Sequence, residues 1–171
     1  MITPDINDWW EKAKRSADIC EHMETLLRYA MMVDSVVEFG VRAGASSTAW
    51  MKAKVKRVRC YDVDQCDIAF FREHAAANGM DYDFIRADDL TVEIDPVDLL
   101  FIDTHHTYPQ LTAEMDMHGD KVRKYIICHD TTYAPECYTA ITDYINRNPQ
   151  WRIKEHYANN NGLTILERHE D

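Results

Sequence analysis

The sequence predicts an α/β fold: a mostly parallel sheet covered by helices on both faces and closed by a C-terminal antiparallel hairpin. Three observations carry this. From residue 34 onward, short apolar β-rich runs alternate with helical patterns five times, the signature of a parallel sheet buried on both sides. After residue 147, Asn148-Pro149 breaks the alternation, and two strand-like runs follow, joined by the polar turn Ala158-Asn159-Asn160-Asn161. Strands so joined pair antiparallel. No linker, composition shift or internal repeat interrupts the chain, so residues 1–171 read as a single domain: N-terminal helices at 1–33, an α/β core at 34–147 and a closing hairpin at 148–171.

The elements follow in order. Thr3-Pro4 predicts a helix start, a capping oxygen followed by a ring with no N–H to leave unpaired. A short helix holding Trp9 and Trp10 follows, and these two with Met31 and Met32 read as core or as a subunit contact. Ile19, Met23, Leu26, Leu27 and Ala30 repeat at helical spacing and predict a second, amphipathic helix. Strands are expected at 35–39, 58–61, 82–86, 97–102 and 125–128, with helices between them at 46–54, 65–78 and 109–122. Ile68, Phe71 and Ala75 mark the inner face of the second of these helices, and Leu111, Met115 and Val122 that of the third. A last helix at 136–147 precedes strands at 151–157 and 162–167.

Composition excludes several classes. Nineteen basic and thirty acidic side chains leave a net charge of −11, which argues against a polyanionic partner such as nucleic acid, because phosphate contacts need concentrated Lys and Arg. The basic run MKAKVKRVR reads as a solvated surface. Uninterrupted apolar runs fall far short of the ~18 residues that span a bilayer, and the acidic, Trp-bearing N-terminus lacks a signal-peptide pattern. A cytoplasmic location without membrane attachment is the expectation. Five cysteines with no CxxC suit reduced, mostly buried thiols.

In an open parallel sheet the ligand crevice lies beyond the carboxyl ends of the strands. All five core strands end in polar or ionisable residues. The first runs into Glu38-Phe39-Gly40-Val41-Arg42-Ala43-Gly44-Ala45-Ser46-Ser47, where glycines let a ligand approach the backbone and Ser46 or Ser47 can cap the next helix. The second ends in Asp62 and Asp64, suited to a ribose diol, and the third in Asp88-Asp89. The fourth ends in Asp103-Thr104-His105-His106 and the fifth in His129-Asp130-Thr131. The glycine loop lacks both the dinucleotide fingerprint and the Gly-Lys-Ser/Thr of a triphosphate cradle. Glu38, two residues before Gly40, would repel a pyrophosphate and attract a cationic ligand such as a sulfonium amino acid.

VVEFGVRAGASS followed by YDVD resembles the first two motifs of the class I S-adenosylmethionine (SAM) dependent methyltransferases. Further on, VDLLFIDTHHTYPQLTAEMD and YIICHDT resemble the branch that holds the cephalosporin-hydroxylase-like and the macrolide or sugar O-methyltransferases. This implies a Rossmann-like class I methyltransferase fold with a seven-stranded sheet. It also implies that Glu38, Gly40 and Gly44 line the methionine part of SAM, that Ser46 belongs to the same cofactor site, that Asp62 holds the ribose and that Asp88 sits near the adenine amine. Asp103 would lie beside the transferred methyl, with His106 and Tyr108 matching the branch's His-x-Tyr. Asp103 and Asp130 map to carboxylates that bind a divalent ion, Mg²⁺, in several relatives. The sequence departs from the pattern at Thr104-His105, where Gly-Asp is commonest, and at Arg123-Lys124-Tyr125, where Pro-Gly-Gly is usual.

The activity so implied is methylation of a small hydroxylated acceptor, a sugar or secondary metabolite, by a monomer or homo-oligomer. Asp103, His106 and His129 are the candidate catalytic residues, one histidine serving as general base because an imidazole pKa near 6.5 suits proton transfer at neutral pH. Three alternatives stand beside it: a SAM-binding subunit without catalysis of its own, an NAD-dependent oxidoreductase, and a metal-dependent hydrolase built on His105, His106 and His129. Tyr108 and Thr131 either orient substrate or pack.

Overall fold

The computed structural model describes residues 5–15 and 18–169. Seven strands form one sheet in the order β3-β2-β1-β4-β5-β7-β6. The five parallel members are β1 (Ser35–Phe39), β2 (Arg57–Asp62), β3 (Asp81–Arg86), β4 (Val97–Ile102) and β5 (Val122–His129). The antiparallel hairpin is β6 (Trp151–Tyr157) and β7 (Leu163–Arg168), and β7 pairs with β5 so that Leu163 lies opposite His129. The central strands β1 and β4 are buried along their whole length, as continuous apolar runs require.

One face of the sheet is covered by α1 (Ile6–Ala13), α2 (Met23–Ala30), α3 (Ala45–Ala53) and α4 (Ala69–Ala77), around Met23, Trp50 and Phe71. The other is covered by α5 (Tyr108–His118) and α6 (Pro135–Arg147), around Met115, Ile141 and Tyr144. Each large side chain so buried is worth about 1.5–3 kcal/mol. Four of the five cysteines are buried and all five are free. No helix among the described residues is long and apolar enough to cross a membrane.

Several boundaries differ from expectation. Thr3 and Pro4 lie outside the described residues, and α1 is capped instead by Asp5, in a reciprocal capping box with Asp8. The helix expected at 65–78 begins only at Ala69, although Phe71 and Ala75 are buried as predicted. That expected at 109–122 ends at His118, a 3₁₀ turn follows, and Val122 opens β5 rather than closing the helix. Trp10 is core and Trp9 stacks on Phe70 with centroids 5.0 Å apart. Met31 and Met32 are exposed.

Candidate active site

The loop after β1 is shaped by its neighbours. Gly40 has φ +83°, and a Cβ there would lie 2.0 Å from the Asp103 carbonyl oxygen. Glycine is thus required because the exits of β1 and β4 touch, with the Asp103 N–H donating to Phe39 O at 2.9 Å. Gly44 is the N-cap of α3, in the left-handed region, and a Cβ there would strike the Phe71 ring at 2.4 Å. Neither serine caps α3, contrary to expectation. Both instead donate to the Glu38 carboxylate, Ser46 to Oε1 and Ser47 to Oε2 at 2.6 Å, and the Cys60 thiol meets Oε2 at 3.1 Å. A tertiary partner outcompetes the local cap because Glu38 is fully buried and needs donors. Burial pushes the Glu38 carboxyl up to about 7.

Asp62 clasps the same loop. Its Oδ2 accepts the Val41 and Arg42 N–H groups at 2.8 and 3.0 Å, and its Oδ1 that of Asp64 at 2.9 Å. Against partial burial, these N–H groups hold the carboxyl below its ordinary value. A cleft of about 410 Å³ opens here, bounded by Gly40, Asp62, Asp88, Asp89, Asp103 and Gln110. That volume suits a nucleoside-sized ligand. A cavity of about 60 Å³ lies on the other side of Gly40, with Asp18, Ile19, Ser46 and Asp103 in its wall. The Arg42 guanidinium, 2.7 Å from Asp18, ties this wall to the loop. Gly40, Asp62, Asp88 and Asp103 therefore line the main cleft and Ser46 the side cavity, whereas Glu38 lines neither and Gly44 faces Trp9 across a separate hollow.

The exits of β4 and β5 bring Asp103, His106, His129 and Asp130 together. Asp130 holds a left-handed backbone, φ 55°, right after β5, a strained conformation of the kind that gathers at functional sites. Its Oδ2 lies 2.7 Å from His106 Nε2 and 3.1 Å from His129 Nδ1. Asp103 Oδ1 lies 3.4 Å from each of the same nitrogens. On its other side His129 Nε2 meets the Asn160 carbonyl at 3.3 Å. Both ring nitrogens of His129 thus face acceptors, so the metal-free ring carries two protons. His106 has only Nε2 so engaged.

The electrostatics follow. Hydrogen bonds to Asp103 and Asp130 raise His106 to about 9. Burial works against a charged His129, but the same two carboxylates outweigh it and raise the ring to about 10. The two imidazoles in turn hold Asp130 far below the carboxylate range despite its burial. Neither histidine therefore keeps the value near 6.5 on which the sequence-based expectation of a general base rests. Asp103, His129 and Asp130 each offer a ligand atom within 4.8 Å of the others, the one such group of three among the described residues. His105 lines the cleft instead and does not join it, so the three imidazoles do not converge. Tyr108 donates to Asp143 at 2.8 Å, and Thr131 accepts from Thr164 at 2.9 Å.

Sequence reasoning missed His22. It is buried, reaches the Asn159 and Asn160 carbonyls at 3.0 and 3.1 Å, and stands edge-on to His129 with centroids 5.8 Å apart.

No protein-family model matches the sequence, nor does any curated protein. Solved structures do match. An S-adenosylhomocysteine (SAH) bound methyltransferase from Podospora anserina has a TM-score of 0.67 at 15% identity, over 98% of this chain and 89% of that one. An O-methyltransferase from Bacillus cereus in complex with SAH scores 0.70 at 12% identity, over 99% and 93%. The N-methyltransferase NodS from Bradyrhizobium japonicum scores 0.61 at 16% identity, over 88% and 96%. The fold is that of the class I methyltransferases. Within a methyltransferase fold the cleft and the Asp103 cluster lie where the ligand crevice of a parallel sheet belongs, beyond the carboxyl ends of β1 to β5.

Proposed function

We propose that this chain is a SAM-dependent methyltransferase acting on an oxygen of a small hydroxylated acceptor. One observation carries the reading: a nucleoside-sized cleft clasped by Asp62 abuts, at Asp103, a buried cluster of carboxylates and imidazoles. The SAH carried by the Podospora and Bacillus structures supports the choice of cofactor.

In this reading Asp62 meets the ribose hydroxyls, the turn at Asp88-Asp89 borders the base, and the Gly40 side of Asp103 borders the methionine part. Bound SAM supplies an electrophilic methyl, which an acceptor oxygen takes while its O–H proton leaves. Catalysis then consists mainly of positioning. His106 donates from Nε2 to Asp130 and keeps Nδ1 as an acceptor, so its neutral form takes the acceptor's proton there. Because the ring is raised to about 9, the rate of metal-free enzyme rises with pH up to about that value.

The donor set also fits a divalent cation. Two carboxylates and one imidazole converge, and the Nε2–H contact of His129 with Asn160 leaves Nδ1 for the ion. Asp103, His129 and Asp130 would hold it, and a cation there supplies Lewis acidity that lowers the pKa of an acceptor hydroxyl.

Calorimetric titration of dialysed protein with SAM, SAH and NADH, with and without Mg²⁺, tests the reading. Binding of both sulfur ligands, lost in Asp62→Ala, is the expected result. Binding of NADH alone, or of none of the three, overturns it. Methyl transfer to a panel of hydroxylated acceptors then tests the acceptor class.

A further inference from the structure

The turn of the closing hairpin carries an oxygen on which His129 depends. Residues 158–162 join β6 to β7, and Asn160 and Asn161 there hold left-handed backbones, φ 45° and 69°. Such values are uncommon outside glycine, and asparagine is among the few side chains that tolerate them. Through this turn the Asn160 carbonyl comes to meet His129 Nε2 at 3.3 Å.

His22 reaches the same oxygen from near the start of the chain. It ends the 3₁₀ turn Cys20–His22, is 1% exposed, and places Nε2 3.1 Å from the Asn160 carbonyl and 3.0 Å from that of Asn159. Carbonyls only accept, so this nitrogen carries a proton and donates to both. Two imidazole N–H groups, on rings that stand edge-on to each other, thus converge on one carbonyl and use both its lone pairs. The turn has other ties. The Glu21 N–H donates to Asn160 Oδ1 at 3.1 Å, Asn159 Nδ2 donates to the Glu21 carboxylate, and the Asn161 carbonyl accepts the Thr132 and Tyr133 N–H groups at 2.9 and 2.8 Å. None of these bonds reaches the Asn160 carbonyl, whereas the His22 N–H does.

We propose that His22 is a positioning residue for the cation site: its N–H holds the Asn160 carbonyl where that oxygen takes the Nε2–H of His129 and leaves Nδ1 to the ion. This rests on the reading of Asp103, His129 and Asp130 as a cation site. A ligating nitrogen carries no proton, so a cation on Nδ1 requires the remaining ring proton on Nε2. The acceptor of that proton sets both the tautomer and the rotation of the ring. Without the His22 N–H the turn can carry the oxygen away, and the ring loses its anchor.

Calorimetric titration with Mn²⁺ at one fixed pH tests the proposal. His22→Phe keeps a flat ring beside His129 and removes the N–H. It is expected to weaken Mn²⁺ binding about 10-fold, the lower end of what losing an outer partner of a ligating histidine costs, because His22 acts one bond further out. His22→Gln, whose amide N–H can serve the same carbonyls, restores most of the loss. Glu21→Ala removes another tie between the same two segments but leaves the His22 N–H, and Mn²⁺ affinity is expected to hold. Unchanged affinity in His22→Phe, or an equal loss in Glu21→Ala, overturns the proposal and leaves the cation site standing. Should the His22 variants not fold, the wild-type NMR spectrum decides: the Nε2 protons of His22 and His129 must both exchange slowly with water, and rapid exchange at His129 overturns the proposal. Wild type that binds no Mn²⁺ overturns the cation site, and the proposal with it.

Discussion

Replacing Glu38 with Gln isolates the energetic consequence of a carboxyl group buried at the middle of the sheet. Glu38 has no solvent contact, and burial raises it from 4.5 to about 7, the donors Ser46, Ser47 and Cys60 limiting the rise. At about 1.4 kcal/mol per pKa unit, that rise is worth about 3 kcal/mol. The folded protein binds this proton more tightly than the unfolded chain does. The group's contribution is therefore full below about pH 4.5, declines as the pH rises and is gone by about pH 7. Glutamine fills the same space, can bond both serines and does not titrate. Urea denaturation of wild type and Glu38→Gln in parallel across this range gives the difference in stability at each pH, in which every other titrating group cancels. That difference is expected to move by about 3 kcal/mol in favour of the variant between about pH 4.5 and 7.5. Parallel stability curves for the two proteins would refute a neutral buried acid at this position.

Asp130→Asn removes the carboxylate that both imidazoles share, so the midpoints of His106 and His129 fall from about 9 and about 10 toward the ordinary value; an NMR titration of the ring protons reads this, and unchanged midpoints contradict the geometry described for the cluster. Gly40→Ala places a methyl against the Asp103 carbonyl at a φ of +83° and is expected to destabilise by at least ~2 kcal/mol in thermal denaturation. Phe71→Ala empties the space beside Gly44 under α1 and should cost about 3–5 kcal/mol; a loss under ~1 kcal/mol would show that the site collapses. If the proposed activity holds, Asp103→Ala is expected to abolish methyl transfer while the circular dichroism spectrum stays that of wild type, whereas loss of the folded spectrum would make the residue structural.

The strands and the closing hairpin were legible because their signal is local: a run of β-rich residues between turn residues reports burial on both faces whatever its neighbours are. Asp62, Asp103 and Asp130 were legible for a related reason, since a parallel sheet brings the ends of its strands to one edge and the residue after each strand is read directly. Partnerships across elements were not. Ser46 and Ser47 sit where capping residues belong, and only the fold shows that a buried Glu38 claims both hydroxyls. His22 carries no motif, and its link to His129 exists only because the turn of the hairpin folds back over the end of β5. The overrun of the third core helix has the same origin: Val122 keeps helical spacing with Met115 yet pairs with Val97 in the sheet.

The hairpin turn also imposes an order on assembly during synthesis. The two strands whose ends carry Asp103, His106, His129 and Asp130 are complete by residue 129, but the carbonyl that meets His129 Nε2 belongs to Asn160. Until that turn arrives, held by Glu21 and His22 from near the start of the sequence, one edge of the imidazole is open to water. Domains form as units while the ribosome works from the N-terminus, so ligands that need this ring in place meet a finished pocket only when two segments more than 130 residues apart have closed on each other.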